Sequence, residues 1–203
     1  FGGWGIVTLC AVYATAGIVL ANRLAKKGLP VVAGISATFV VCLTPLATFG
    51  LQHALGVWPS DDNYRDYHRY VQWHWLYMEL ATLAVGAALA RSYRYPFLLM
   101  PVALTLWYLS MDLAVMLTGD YPELELRALV SMYMGLLILG LAFWVDIRSR
   151  HSLDYAFWLY LFGTTSFWCG LSMQHSDSEL SKLAYCCINL IMMGFGIVLV
   201  RRV

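Results

Sequence analysis

The sequence predicts an all-α integral membrane protein, a bundle of seven transmembrane helices, on three observations: low charge, seven apolar segments of spanning length, and basic residues that sort between alternate connections. Of the 203 residues, 61% are hydrophobic and 12% are charged, with a mean hydropathy of +0.67. A soluble domain covers its surface with roughly 25% charged residues; this chain must be solvated by something apolar. A net charge of +1 provides no global field for nucleic acid or acidic substrates, so no nucleic-acid partner is expected. The 15% aromatic content suits a bilayer protein, in which Trp and Tyr gather at both interfaces.

Crossing the hydrocarbon takes about 20 apolar residues as helix. Seven segments qualify: 4–22, 30–52, 71–90, 97–118, 128–146, 155–173 and 183–200. The connections are short and polar. Several carry turn chemistry, among them Gly28-Leu29-Pro30, Trp58-Pro59-Ser60, Tyr95-Pro96 and Gly119-Asp120-Tyr121-Pro122. Without room for a soluble domain, and without an internal repeat, residues 1–203 read as a single polytopic domain. The chain opens on Phe1 and stops at Arg201-Arg202-Val203 directly after an apolar run, the form expected of a processed or partial piece of something longer. No basic stretch precedes the first apolar segment, which is therefore read as a span and not as a signal peptide.

Charge tests this division independently. Nine of the thirteen Lys and Arg residues (Arg23, Lys26, Lys27, Arg91, Arg94, Arg148, Arg150, Arg201 and Arg202) fall after segments one, three, five and seven. The alternate connections hold Arg65, Arg69, Arg127 and Lys182, with eight of the twelve acids: Asp61, Asp62, Asp66, Asp120, Glu123, Glu125, Asp177 and Glu179. Basic connections stay on the cytoplasmic side or its organellar equivalent. The N-terminus is then expected outside and the C-terminus inside.

Helices in lipid meet through small and polar residues, because no hydrophobic drive separates helix from hydrocarbon. Gly34, Thr38, Pro45, Thr48 and Gln52 form one stripe on the second segment. Pro101, Thr105, Tyr108 and Asp112 line the fourth, and Lys182, Cys186, Asn189, Met193 and Gly196 the seventh. Ser131/Gly135 and Ala84/Ala88 are small-xxx-small pairs. Such stripes serve as packing surfaces more often than as pores. The five cysteines, Cys10, Cys42, Cys169, Cys186 and Cys187, lack CxxC spacing and lie in apolar stretches, where a thiol acts as a small hydrophobe.

Two carboxylates lie well inside segments, Glu79 in the third and Asp112 in the fourth. A charge at mid-bilayer costs at least ~2.5–3.5 kcal/mol. The two segments form a hairpin turning near Arg94, with Glu79 fifteen residues before the turn and Asp112 eighteen after it. At ~1.5 Å per residue their depths differ by about one helical turn. Glu79 shares a face with Gln72, Trp75, Thr82 and Gly86. If that face meets the Asp112 stripe, the carboxyls couple and hold one proton between them, since like charges at short range do not both ionise. One reading is a proton or cation site; the other is a pair of neutral or hydrogen-bonded acids that fix helix register.

His53, His68, His74 and His175, four of the five histidines, fall on the acidic side. His68, His74 and His175 are metal-ligand candidates by type, though no HxH or HExxH spacing supports a metal. The alternative is an interfacial belt with Tyr64, Tyr67, Tyr70, Trp73 and Trp75. No lysine falls within a segment, which excludes a retinal Schiff base. A haem sandwich needs two deep histidines, and only His74 comes near. Thr118-Gly119-Asp120 resembles the intramembrane aspartyl protease motif, but no partner Asp lies in a matching segment. Neither GxSxG nor a Walker loop occurs, so no catalytic residue and no cofactor is expected.

Trp107-Tyr108-Leu109-Ser110-Met111-Asp112-Leu113 resembles a string found in bacterial polytopic predicted membrane proteins of unknown function. So do Asp154-Tyr155-Ala156-Phe157-Trp158-Leu159-Tyr160-Leu161-Phe162-Gly163, Gly170-Leu171-Ser172-Met173 and Ser176-Asp177-Ser178-Glu179-Leu180. The resemblance runs through most of the chain, most specifically over 96–203. It implies a membrane fold and location, in a bacterial inner membrane or an equivalent organellar one, and no activity. Members of that group continue past the position of Arg201-Arg202-Val203 with further apolar sequence, and this chain departs from them there.

Two functional classes remain. The first, favoured by the minimal loops and the absence of a substrate signature beside the acids, is a non-catalytic accessory or scaffold subunit whose partners are the bilayer and other membrane subunits. The second is a proton- or cation-coupled transporter, channel or sensor built on Glu79 and Asp112, with Tyr108, Thr105 and Asn189 as polar support.

Overall fold

A computed structural model describes residues 2–58, 73–118, 124–149, 155–174 and 179–200. Among them are seven α-helices and no strand: α1 (Gly3–Lys26), α2 (Pro30–Ala54), α3 (Trp73–Tyr93), α4 (Leu99–Thr118), α5 (Leu124–Ser149), α6 (Phe157–Ser172) and α7 (Glu179–Val200), with a 3-10 turn at Pro96–Leu98 before α4. Each apolar segment of the sequence lies largely within one helix.

The connections follow from local chemistry. α1 ends in a Schellman motif, in which Leu29 N–H donates to the Leu24 carbonyl and Gly28 N–H to that of Ala25. Gly28 takes the left-handed conformation this motif needs, at φ 75°. Pro30 then opens α2 at its first position, where a missing N–H costs nothing. Gly56, at φ 67°, closes α2 with the same pair of bonds. The α3–α4 turn falls at Arg94, as the hairpin requires, and Arg94 itself sits at φ 44°. Pro96 prevents α3 from continuing.

By length and composition, four helices rather than the expected seven are able to cross a membrane: Gly3–Lys26, Pro30–Ala54, Pro96–Ala114 and Leu124–Arg148. The other three fall short for separate reasons. α3 carries His74, Glu79 and Arg91 among its 21 residues. α6 has 16 residues, about 24 Å of helix against a hydrocarbon core of about 30 Å. Among the described residues α7 contributes a shorter apolar helix, Lys182–Gly194.

Neighbouring helices pack antiparallel. Gly3 of α1 lies so close to Gly50 and Ala54 of α2 that an added Cβ would stand 2.5 Å from the Ala54 nitrogen. α2 packs on α3, α3 on α4, and α4 on both α5 and α6. The α5–α6 contact is held by a reciprocal knot: Ser131 Oγ donates to the Ser166 carbonyl at 3.0 Å, and Ser166 Oγ to the Ser131 carbonyl at 2.9 Å. Gly135 faces the Phe167 backbone and Gly170 faces Ala128 and Met132, both without room for a methyl group. Ser131/Gly135 is thus a packing face.

Two other stripes differ from expectation. Ala84 and Ala88 are exposed, and α3 buries Glu79, Thr82, Gly86 and Ala90 instead. These lie at steps of three and four, one helical face that includes the acid. On α7, Lys182, Cys186, Met193 and Gly196 are exposed, and the helix makes no extensive contact with the other helices. Ser172 Oγ of α6 lies 3.1 Å from its Tyr185 Oη. The buried core joins α2, α3, α4, α5 and α6 through Val41, Ala90, Leu98, Ala103, Ile138 and Leu159. With these packing directions, Arg23, Lys26, Arg91, Arg94 and Arg148 all come to one end of the bundle, called the Arg94 end below. Arg150, Arg201 and Arg202 lie outside the described residues, as do the acidic connections 59–72, 119–123 and 175–178.

Candidate functional site

Antiparallel packing of α3 on α4 brings together the two acids that the sequence places inside apolar segments. The carboxyl groups of Glu79 and Asp112 come within interacting distance, where a hydrogen bond between them would need a proton on one, since a carboxylate only accepts. Glu79 is 7% exposed and its Oε2 has no protein partner. Asp112 is half-buried. The acid sits on the buried face of α3 with Thr82, whose hydroxyl is spent on the Met78 carbonyl at 2.6 Å. Thr82 is therefore no donor to the pair.

Thr105 donates to the Pro101 carbonyl of its own helix at 2.8 Å, and Tyr108 is 57% exposed on the outside of α4. Asn189 donates to the Tyr185 carbonyl of α7, a helix that packs on neither α3 nor α4. The structure thus brings Glu79 and Asp112 together, with Tyr108 exposed one turn from Asp112, Thr105 bonded within its own helix and Asn189 on α7.

A group that the sequence did not connect to the acids lies at the end of the bundle opposite Arg94. Gln52, 7% exposed on α2, donates through Nε2 to the backbone carbonyl of His74 at 3.1 Å. Its own Oε1 and the Nδ1 of His74 are buried without protein partners. The His74 ring meets Trp58 edge-on at 5.8 Å, and Trp58 meets Phe49 at 4.7 Å. The stripe on α2 placed Gln52 on this face from sequence. What hid the link is that Gln52 reaches a backbone carbonyl, which has no signature in the sequence.

Of the metal candidates, His68 and His175 lie outside the described residues, and among the described residues no three His, Cys, Asp or Glu converge as a metal site. A cleft between α6 and α7, lined by Ser172, Gln174, Lys182 and Tyr185, gathers no acid or histidine among the described residues. At the Arg94 end, Tyr155 donates to the Ala90 carbonyl at 2.7 Å and Tyr93 to Asn22 Oδ1 at 2.9 Å. These bonds tie α6 and α1 to the end of α3 and bring no reactive groups together.

Comparison with protein-family models, curated proteins and solved structures gives no match for this chain.

Proposed function

We propose that the protein is a polytopic membrane protein of a bacterial inner or equivalent organellar membrane, and that the Glu79–Asp112 pair is a proton-exchanging site serving a proton-coupled transporter or sensor. In this reading all seven helices cross the bilayer, with the N-terminus outside and the Arg94 end cytoplasmic. The marginal apolarity of α3 is the cost of carrying the site. The observation that supports it is a pair of carboxyls brought together from two helices, of which Glu79 is 7% exposed with an Oε2 that no hydrogen bond satisfies. A pair used only to fix register would have both oxygens of its buried member satisfied. A proton is favoured over a metal ion because two carboxyls without a third converging ligand suit a shared proton.

The test uses the full chain in liposomes loaded with a pH dye. A pH step should drive proton uptake in the wild type, and Glu79→Gln and Asp112→Asn should each lower its rate at least tenfold. Unchanged uptake in both variants would overturn the site.

The second reading is an accessory subunit of a larger membrane assembly. It is favoured by α7, where Leu180, Leu183, Leu190, Met193 and Ile197 are each more than 60% exposed. Detergent extraction and native mass spectrometry decide it: a second protein held in fixed stoichiometry supports the subunit, and a lone chain or homo-oligomer supports the proton site.

A further inference from the structure

We infer that the Glu79–Asp112 pair is wetted from one end only: water reaches it from the Gln52–His74 end along α2 and α3, and is stopped on the other side by Val41, Gly86 and Val102. The inference deepens the proton-site reading by giving the site a direction of access.

The wet half is argued from polar atoms. Gln52 bonds the His74 backbone, which fixes the level of α2 against α3. One turn below Gln52 on the same stripe lies Thr48, about 6 Å along the axis. Because α2 and α3 run antiparallel, the same descent on α3 leads from just below His74 to Glu79. Thr48 spends its hydroxyl proton on the Thr44 carbonyl at 2.9 Å, which leaves its oxygen free to accept. From the bundle end to the acid there is thus a succession of Gln52 Oε1, the Thr48 oxygen and Glu79 Oε2, with His74 Nδ1 at its mouth. Three of the four are buried atoms that no protein group satisfies. Such groups in native proteins are met by ordered water, each water needing two to four polar partners.

The dry half is argued from packing. Two turns below Glu79 on α3 is Gly86, and an added Cβ there would stand 2.5 Å from Val102 Cγ2 of α4 and 3.6 Å from Val41 Cγ1 of α2. Three helices therefore close on one another through two valines over a glycine. Val41 is fully buried, and Ala37, Ala90, Leu98 and Leu99 continue the seal toward the Arg94 end. Trp107, whose indole nitrogen also lacks a protein partner, faces Phe162 of α6 rather than this seam.

Radiolytic hydroxyl-radical footprinting reads water beside side chains at the scale of one molecule. It is applied to the wild-type full chain in nanodiscs, with residue rates normalised to those of the free amino acids. Gln52, Thr48 and His74 should be oxidised at least tenfold faster than Val41, Val102 and Leu98. Equal rates, or faster oxidation of the valines, overturn the inference. A Gln52→Leu, Thr48→Val chain should in addition lower Glu79-dependent proton uptake at least tenfold, and unchanged uptake counts against the path. Footprinting needs no proton flux, so a sided pattern in a chain that takes up no protons would retain the wet path and discard the proton-coupled function. Uptake with an unsided pattern would do the reverse.

Discussion

Glu79 and Asp112 present a choice that single substitutions resolve. Glu79→Gln retains a hydrogen-bonding side chain opposite Asp112 and removes only the exchangeable proton. Its thermal stability is expected to stay within about 1 kcal/mol of the wild type, while proton uptake falls. Glu79→Leu is expected to lose about 1–3 kcal/mol, because it leaves the half-buried Asp112 without its partner. Chemical denaturation in detergent checks both. Arg94 allows a second test at this scale. A non-glycine residue at φ 44° carries roughly 1 kcal/mol of left-handed strain, so Arg94→Gly should leave stability unchanged or raise it by up to about 1 kcal/mol. The acids were legible because an ionisable group in an apolar run stands out, and counting residues from the turn set their depth. Pro101, Thr105, Tyr108 and Asp112 share one narrow stripe of α4, yet Pro101 is buried and Tyr108 is 57% exposed, because the neighbour at each level of the helix decides burial and a stripe does not name it.

Among the elements, the α5–α6 seam rests on the Ser131–Ser166 knot and the two glycines beside it. Gly135→Leu places its branch against the Phe167 backbone, which has no flexible end to move. A loss of about 3 kcal/mol is expected, measured as a shift in the unfolding midpoint. Ser131→Ala with Ser166→Ala, taken as a double-mutant cycle, should show a coupling of about 0.6–1.7 kcal/mol, the range for hydrogen bonds between membrane helices. The sequence marked the α5 side of this seam through the small-xxx-small pair Ser131/Gly135, and the structure adds Ser166 and Gly170 as its counterpart on α6. The same rule failed for Ala84/Ala88, where alanine is common enough in apolar helices to form the pattern by chance. The deciding neighbour was Glu79, whose burial turned the adjacent face of α3 inward. Helix existence was thus legible from apolar length, and helix facing was not, since lipid and protein are both apolar and a bilayer helix shows little contrast between them.

For the whole molecule, the arrangement predicts that Arg91, Arg94 and Arg148 lie on one side of the membrane. Cysteines introduced at Arg91 and Arg148 should react with an impermeant maleimide from the same face, and one introduced at Leu55 from the opposite face. Reaction of the Arg91 and Arg148 positions from different faces would remove the shared orientation of the bundle. Charge sorting made the shared end of the bundle readable, because it depends only on which connection holds a residue; the side of the membrane rests on the labelling. The direction of access to the acids was not readable, since it rests on Gln52 meeting a carbonyl and two valines closing over Gly86.

α7 has a consequence for how such a chain is made. Among the described residues α7 makes few contacts with the other helices, one of them Ser172 Oγ to Tyr185 Oη. In the proposed seven-span reading such a rod enters lipid largely on the strength of its own side chains, with Lys182 near its leading end. One added charge near Ile191 should therefore strand α7 outside the bilayer during synthesis, whereas the same change in α5 would be rescued by α6.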